Sequence, residues 1–205
     1  MQVRFKEEEL QEPITIEEAK EYTHITHKAD DKLISIYIKA ARAYCEKITG
    51  YSLVNKTVII QSDIPSERMS DKGFEDLPHA IIDPNNISHR YKLPYGPVSE
   101  ITEVKLVKLN GEFIILENTL YSLDSDFDLL YWRFDTFNLN INDYDYVKIK
   151  YKTSWGDEEM PADIKEAMLE LISDMYYNKG NLDNNYPKIH TKLSNYQIQR
   201  MYEAS

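Results

Sequence analysis

The sequence predicts an α+β fold: a small α-helical bundle, two N-terminal helices plus a C-terminal helix, with an antiparallel β-rich portion inserted between them. Three observations predict it. Two segments before Tyr51 carry apolar residues at the i, i+3, i+4 spacing of an amphipathic helix. A third such segment follows Pro161. The sequence between them is Tyr-rich, alternates apolar with polar residues, and is cut by turn residues.

Residues 1–13, MQVRFKEEELQEP, are charged and are expected as an N-terminal arm, held only by a neighbour. They lack the apolar stretch of a secretory signal. Thr15-Ile16-Glu17-Glu18 has the form of a capping box, opening a short helix to about Tyr22. Asp30 or Asp31 is expected to cap a second helix, with Leu33, Ile34, Tyr37, Ile38, Ala41, Tyr44, Cys45 and Ile48 on its apolar face. Lys32, Lys39, Arg42 and Glu46 fall on the opposite face, and Gly50 stands where a left-handed C-cap is wanted.

Leu53 to Gln61 reads as a strand. From 62 to 90 the pattern breaks at Pro65, Gly73, Pro78 and Pro84, which marks an insertion. Leu93 to Val98 is a turn entering a strand, and Asn110-Gly111 is a hairpin signal between Ile101–Leu109 and Phe113–Leu116. Tyr121–Asp124, Leu129–Phe134 and Tyr146–Tyr151 complete the strands; Val147, Ile149 and Tyr151 alternate with three lysines, as in a sheet with one wet face. Pro161 at the first helical position opens the last helix, 161–179, on the stripe Ile164, Ala167, Met168, Leu171, Ile172 and Met175. Residues 181–205 read as a polar tail with weak helical character from Leu193. The organisation expected is therefore an arm at 1–13, one domain over 14–180 (helices 14–50, β-rich 53–152 with the 62–90 insertion, helix 161–179), and a tail at 181–205.

The formal charge of −11 disfavours sequence-specific nucleic-acid binding, and no dense Lys/Arg run offsets it. Cys45 is the single cysteine; it lies on a helical apolar stripe and reads as a core thiol, with no partner for an intrachain disulfide. No apolar run approaches the ~18 residues of a membrane span. His24 and His27 are spaced like two metal ligands, but a zinc site needs more. Asp124-Ser125-Asp126-Phe127-Asp128 resembles the start of a calcium loop, yet Leu129 stands where Gly is required and Asp135 where Glu is. A metal-dependent hydrolase built on this acidic 124–135 loop is the enzymatic alternative. No phosphate-binding glycine loop and no nucleophile elbow is present, so catalysis, cofactor and metal are not expected. The 16 tyrosines, against 6 phenylalanines, suit surfaces with one dry and one wet side, and Trp155 before Pro161 is a candidate interface anchor.

The order of the pieces ITIEEAKEY, DDKLISIYIKAARAYCEKITGYSL, LPYGPVSEITEVK, YVKIKYKTSWG and MPADIKEAMLELISDMYYNKGN resembles the head–tail connector family of tailed phages, the head-completion or adaptor proteins. The resemblance covers roughly 14–60 and 91–180; the 62–90 insertion and the 181–205 tail depart from it. It implies a structural protein of the virion neck. Such proteins form a ring, usually dodecameric, below the portal protein, extend the DNA channel, and dock the next neck or tail protein. DNA would pass the lumen without sequence-specific binding, and no catalytic residues transfer. Trp155, Tyr176, Tyr177, Tyr186, Tyr196 and Tyr202 are the interface residues expected on this view, and removal of 181–205 is expected to leave a folded chain that no longer assembles.

Overall fold

The computed structural model describes residues 2–7, 11–64, 90–132, 143–155, 160–178 and 186–196. They divide into two units: one holds the N-terminal strand and the chain from Asn55 to Ser154, the other the N-terminal helices up to Val54 and the chain from Trp155. The class is α+β, as the alternating patterns require.

The β unit contains two antiparallel sheets. Strands β1 (Gln2–Glu7), β2 (Lys56–Asp63), β4 (Val98–Val107), β5 (Phe113–Ile115) and β8 (Tyr146–Thr153) form a sheet of order β1-β2-β8-β4-β5. Strands β3 (Arg90–Lys92), β6 (Tyr121–Asp124) and β7 (Leu129–Trp132) form a smaller one of order β3-β7-β6. In β8 the apolar positions Val147, Ile149 and Tyr151 are fully buried. They sit opposite Ser62, Ile60 and Val58 of β2 and Leu106, Val104 and Ile101 of β4. Leu130 and Trp132 of the smaller sheet join the same core. Strand β4 keeps its register with β8 through two irregularities, between Val98 and Glu100 and between Ile101 and Glu103. Asn110-Gly111 forms the expected turn: Gly111 takes a φ of +91°, and the Asn110 side chain accepts from the Glu112 amide at 2.9 Å.

The helical unit contains α1 (Ile16–Thr23), α2 (Asp31–Thr49), α3 (Ala162–Asn178) and α4 (Tyr186–Ser194). Their apolar stripes meet in one cluster that includes Ile34, Ile38, Ala41, Cys45, Ile164, Met168 and Leu171. Cys45 is buried, as its stripe requires, and burial pushes its thiol up to about 12. The capping box forms in full: Thr15 Oγ1 accepts from the Glu18 amide at 3.1 Å, and Glu18 accepts from the Thr15 amide at 2.8 Å. Helix α2 ends at Gly50, whose φ is 77°.

Several expectations need correction. The arm at 1–13 is ordered at two places. Residues 2–7 pair with β2 from Gln2↔Gln61 to Glu7↔Lys56, and Glu12 binds Arg42 Nε at 2.8 Å. Arg42 is therefore buried, although the helical pattern puts it on the wet face; its carboxylate partners, Glu12 and Glu46, make that burial tolerable. Asp30 holds the N-cap position of α2 without a capping hydrogen bond, because its Oδ2 accepts from Tyr176 Oη at 2.6 Å. Asp31 instead pairs with Lys20 at 2.8 Å. The tail contains α4, and Ile189 and Leu193 are core residues of the helical cluster. Deleting 181–205 removes both residues, so that truncation is expected to open the helical core instead of sparing the fold. Of the 62–90 insertion, Ser62 and Asp63 extend β2 and Arg90 opens β3; 65–89 lie outside the described residues, as do 133 and 134 of the strand expected there.

Glu18 also receives Lys165 Nζ at 2.7 Å, joining α1 to α3. That bond, and the Thr15 amide after it, hold its carboxyl near 2, below its ordinary 4.5. A lowered folded-state pKa stabilises above the unfolded value and loses that contribution as pH falls through the folded one. Glu18→Gln is expected to lower the urea midpoint at about pH 6, with the difference from the native chain shrinking below about pH 4.5 and gone near pH 2. A pH-independent difference would show that the charge contributes nothing.

Candidate functional site: the aromatic contact residues

Four of the six residues expected at an interface have described side chains, and all four lie in the helical unit. Trp155 donates from Nε1 to the Ser52 carbonyl at 3.0 Å, and its ring meets Tyr51 with centroids 5.5 Å apart. It fastens the chain entering α3 to the turn after α2. Tyr176 and Tyr177 meet edge to face at 5.2 Å. Tyr176 Oη binds Asp30, while Tyr177 Oη donates to the Thr23 carbonyl at the end of α1 at 2.5 Å. Tyr196 Oη donates to Asp163 Oδ2 at 2.9 Å, tying the end of α4 to the start of α3. Each hydroxyl thus has an internal partner, which fixes the ring without covering it. Tyr177 remains 59% exposed. Tyr186 is the first residue of α4, and Tyr202 lies outside the described residues.

Tyr177 belongs to a cavity of about 430 Å³ at the side of α3. Tyr22 of α1, Glu170 and Asp174 of α3, and Lys188 and Ile189 of α4 line it with Tyr177. Asp174 is buried and accepts from Asn178. Lys192 bridges Glu166 at 2.9 Å and Glu170 at 3.1 Å, so α4 is docked on α3 by charge as well as by Ile189 and Leu193. Two carboxylates, two tyrosines and Lys188 share the lining, a form suited to an amphipathic side chain. Sequence reasoning found Tyr177 but missed Tyr22 and the cavity, because α4 was read as tail.

The residues that suggested metal chemistry do other work. His24 ends α1 with a φ of 55°, its amide bonding back to Glu21, and His27 faces Asp30 at 3.8 Å. Among the described residues no group of three His, Cys, Asp or Glu side chains is placed to hold a metal ion. In the acidic loop, Asp128 is buried and turned away from solvent. Its Oδ1 accepts from the Val98 amide at 2.6 Å, and its Oδ2 meets Lys92 at 3.3 Å. Asp128 therefore clamps the turn Leu93–Val98 to the sheet, with Tyr151 Oη donating to the Pro94 carbonyl from the other side. Gly96 is required there: a Cβ on it would lie 2.1 Å from Asp128 Oδ2. Asp135 lies outside the described residues.

The family model for head completion proteins matches residues 12–186. The chain belongs to the head completion protein family, and its role is that of a structural head–tail connector. No curated protein matches it significantly. Among solved structures it is similar to a chain in the neck of an empty GTA particle computed with C6 symmetry, at TM-score 0.68 and 14% identity over 96% of this chain and 95% of that one. A chain of the virion of a native gene transfer agent (GTA) particle matches at TM-score 0.64 and 16% identity, over 93% and 95%. A chain of the neck of the native GTA particle computed with C12 symmetry matches at 0.58 and 15%, over 92% and 94%. At these identities the likeness establishes the fold.

Asp128→Ala leaves the Val98 amide without its buried acceptor and is expected to cost about 1–3 kcal/mol. Gly96→Ala is expected to cost a similar amount, about 1–3 kcal/mol, by overpacking the same spot. The two costs should not add, because the smaller residue at 128 makes room for the new methyl. Additive losses in denaturant titration of the double variant would show that the two sites are independent.

Proposed function

We propose that this chain forms a ring, dodecameric, beneath the portal protein of a tailed phage-like particle, where it extends the DNA channel and docks the next neck or tail protein. The family match over 12–186 carries this reading, since it spans both units. The neck structures of similar fold, computed with C6 and C12 symmetry, support twelve copies, a number compatible with both. The protein acts by shape and contact and has no chemistry of its own. The charge of −11 lets DNA pass the lumen without sequence-specific attachment. Its place is the neck of the virion.

The portal-side contact in this reading uses the end of α3 and the chain beyond it: Tyr176, Tyr177, Tyr186, Tyr196 and Tyr202, with Trp155 holding the entry to α3. Tyr177 is the best supported of these, because its ring stays open beside the cavity while its hydroxyl is held. Aromatic rings fixed in advance bind with little further loss of freedom.

Tyr177→Ala is expected to fold with a small loss of stability and to lower the yield of completed particles on complementation. Tyr177→Phe, which keeps the ring, should complete them nearly as well as the native chain. Removal of 197–205 should preserve the helical core, whereas removal of 181–205 should unfold it through loss of Ile189 and Leu193. Full completion by Tyr177→Ala at native expression would remove that residue from the contact.

A further inference from the structure

Among the described residues, the larger sheet ends on β5, a strand that lacks the usual protection. All three residues of β5, Phe113, Ile114 and Ile115, are apolar. Edge strands commonly carry charge, proline or a bulge, because their open backbone invites pairing. Ile114 packs onto the sheet core, while Phe113 and Ile115 face outward at 54% and 57% exposure. Leu109, in the turn of the same hairpin, is 84% exposed. Three large exposed apolar residues within one hairpin at a sheet edge exceed the scattered exposure of an ordinary surface.

The opposite edge is β1. Four successive antiparallel pairings separate it from β5, so β1 and β5 run parallel. Copies related by a ring rotation keep the sense of their strands. A ring of one chain joins two different surfaces of each copy, and the two ends of this sheet are such a pair. Their faces correspond. Val3 packs toward the sheet core, as do Ile114 and Leu116. Arg4 is exposed on the other face, and by alternation so are Phe113, Ile115 and Glu117. Charge corresponds too: Arg4 would meet the exposed carboxylate of Glu117 and the face of Phe113. Lys105 already sits over that ring, 4.7 Å from its centroid.

We propose that β1 of one copy adds to the β5 edge of the next, as a parallel strand with Val3 beside Ile114 and Arg4 beside Ile115, so that the sheet continues from copy to copy. This rests on the ring reading above and names the contact that closes it. The occupant is a second copy of this chain. Backbone hydrogen bonds would supply the pairing, and Leu109, Phe113 and Ile115 would be covered by it.

The test is disulfide cross-linking in assembled particles carrying Arg4→Cys with Ile115→Cys. Cys45 is buried and silent, so the background is low. Within one chain the two engineered positions lie on opposite sheet edges, about 19 Å apart at four strand spacings, too far to bridge. Oxidation is expected to give a ladder of covalent multimers from the double variant, and no ladder beyond dimers from either single variant. As a second measure, Glu117→Arg should reduce ring recovery, and adding Arg4→Glu should restore it. Rings seen by electron microscopy without a ladder would overturn the β1–β5 contact and leave the ring reading standing. Particles in which the native chain forms no ring would overturn both.

Discussion

The β unit depends on one strand. β8 lies at the centre of the larger sheet, and its partners β2 and β4 come from distant parts of the chain. Val147, Ile149 and Tyr151 are fully buried along it, each contributing roughly 1.5–3 kcal/mol of apolar burial. The alternate positions Lys148, Lys150 and Lys152 keep the other face polar and fix the register, since a slip of one residue would bury the lysines. Tyr151 extends the influence of β8 by holding the Pro94 carbonyl, while Asp128 clamps the same turn from the smaller sheet. Both sheets are thus bound to one core.

The helical unit uses a different device. Beside its apolar cluster, polar bonds join helix to helix: Glu18 to Lys165, Tyr176 to Asp30, Tyr177 to Thr23, Lys192 to Glu166 and Glu170. Such bonds contribute modestly to stability where they are exposed. Their value here is positional. They hold the rings of Tyr176 and Tyr177 in place.

Local signals were legible and long-range ones were not. The capping box at Thr15, the Gly50 cap and the Asn110-Gly111 turn each follow from a few adjacent residues, and each formed as read. The alternation in β8 predicted its two faces. β1 escaped notice because Arg4 and the charged run after it hide the alternation of Val3 and Phe5, and its pairing with β2 joins residues about fifty to sixty apart in sequence. α4 escaped because, among its described side chains, only Ile189 and Leu193 are buried. The clamp between Asp128 and Gly96 joins residues that sequence gives no reason to pair, and so the acidic loop suggested a metal where the structure has a turn fastening. Of the candidate contact residues, the tyrosines of α3 were readable as amphipathic surface; the cavity beside them was not, because it needs α4.

The chain completes the head by joining it to the tail. The most direct measurement is electron microscopy of lysates from the parent phage with this gene disrupted. Heads, filled or leaking, are expected beside free and complete tails, with normal particles restored when the gene is supplied in trans. Normal infectious virions from the disrupted gene would contradict it.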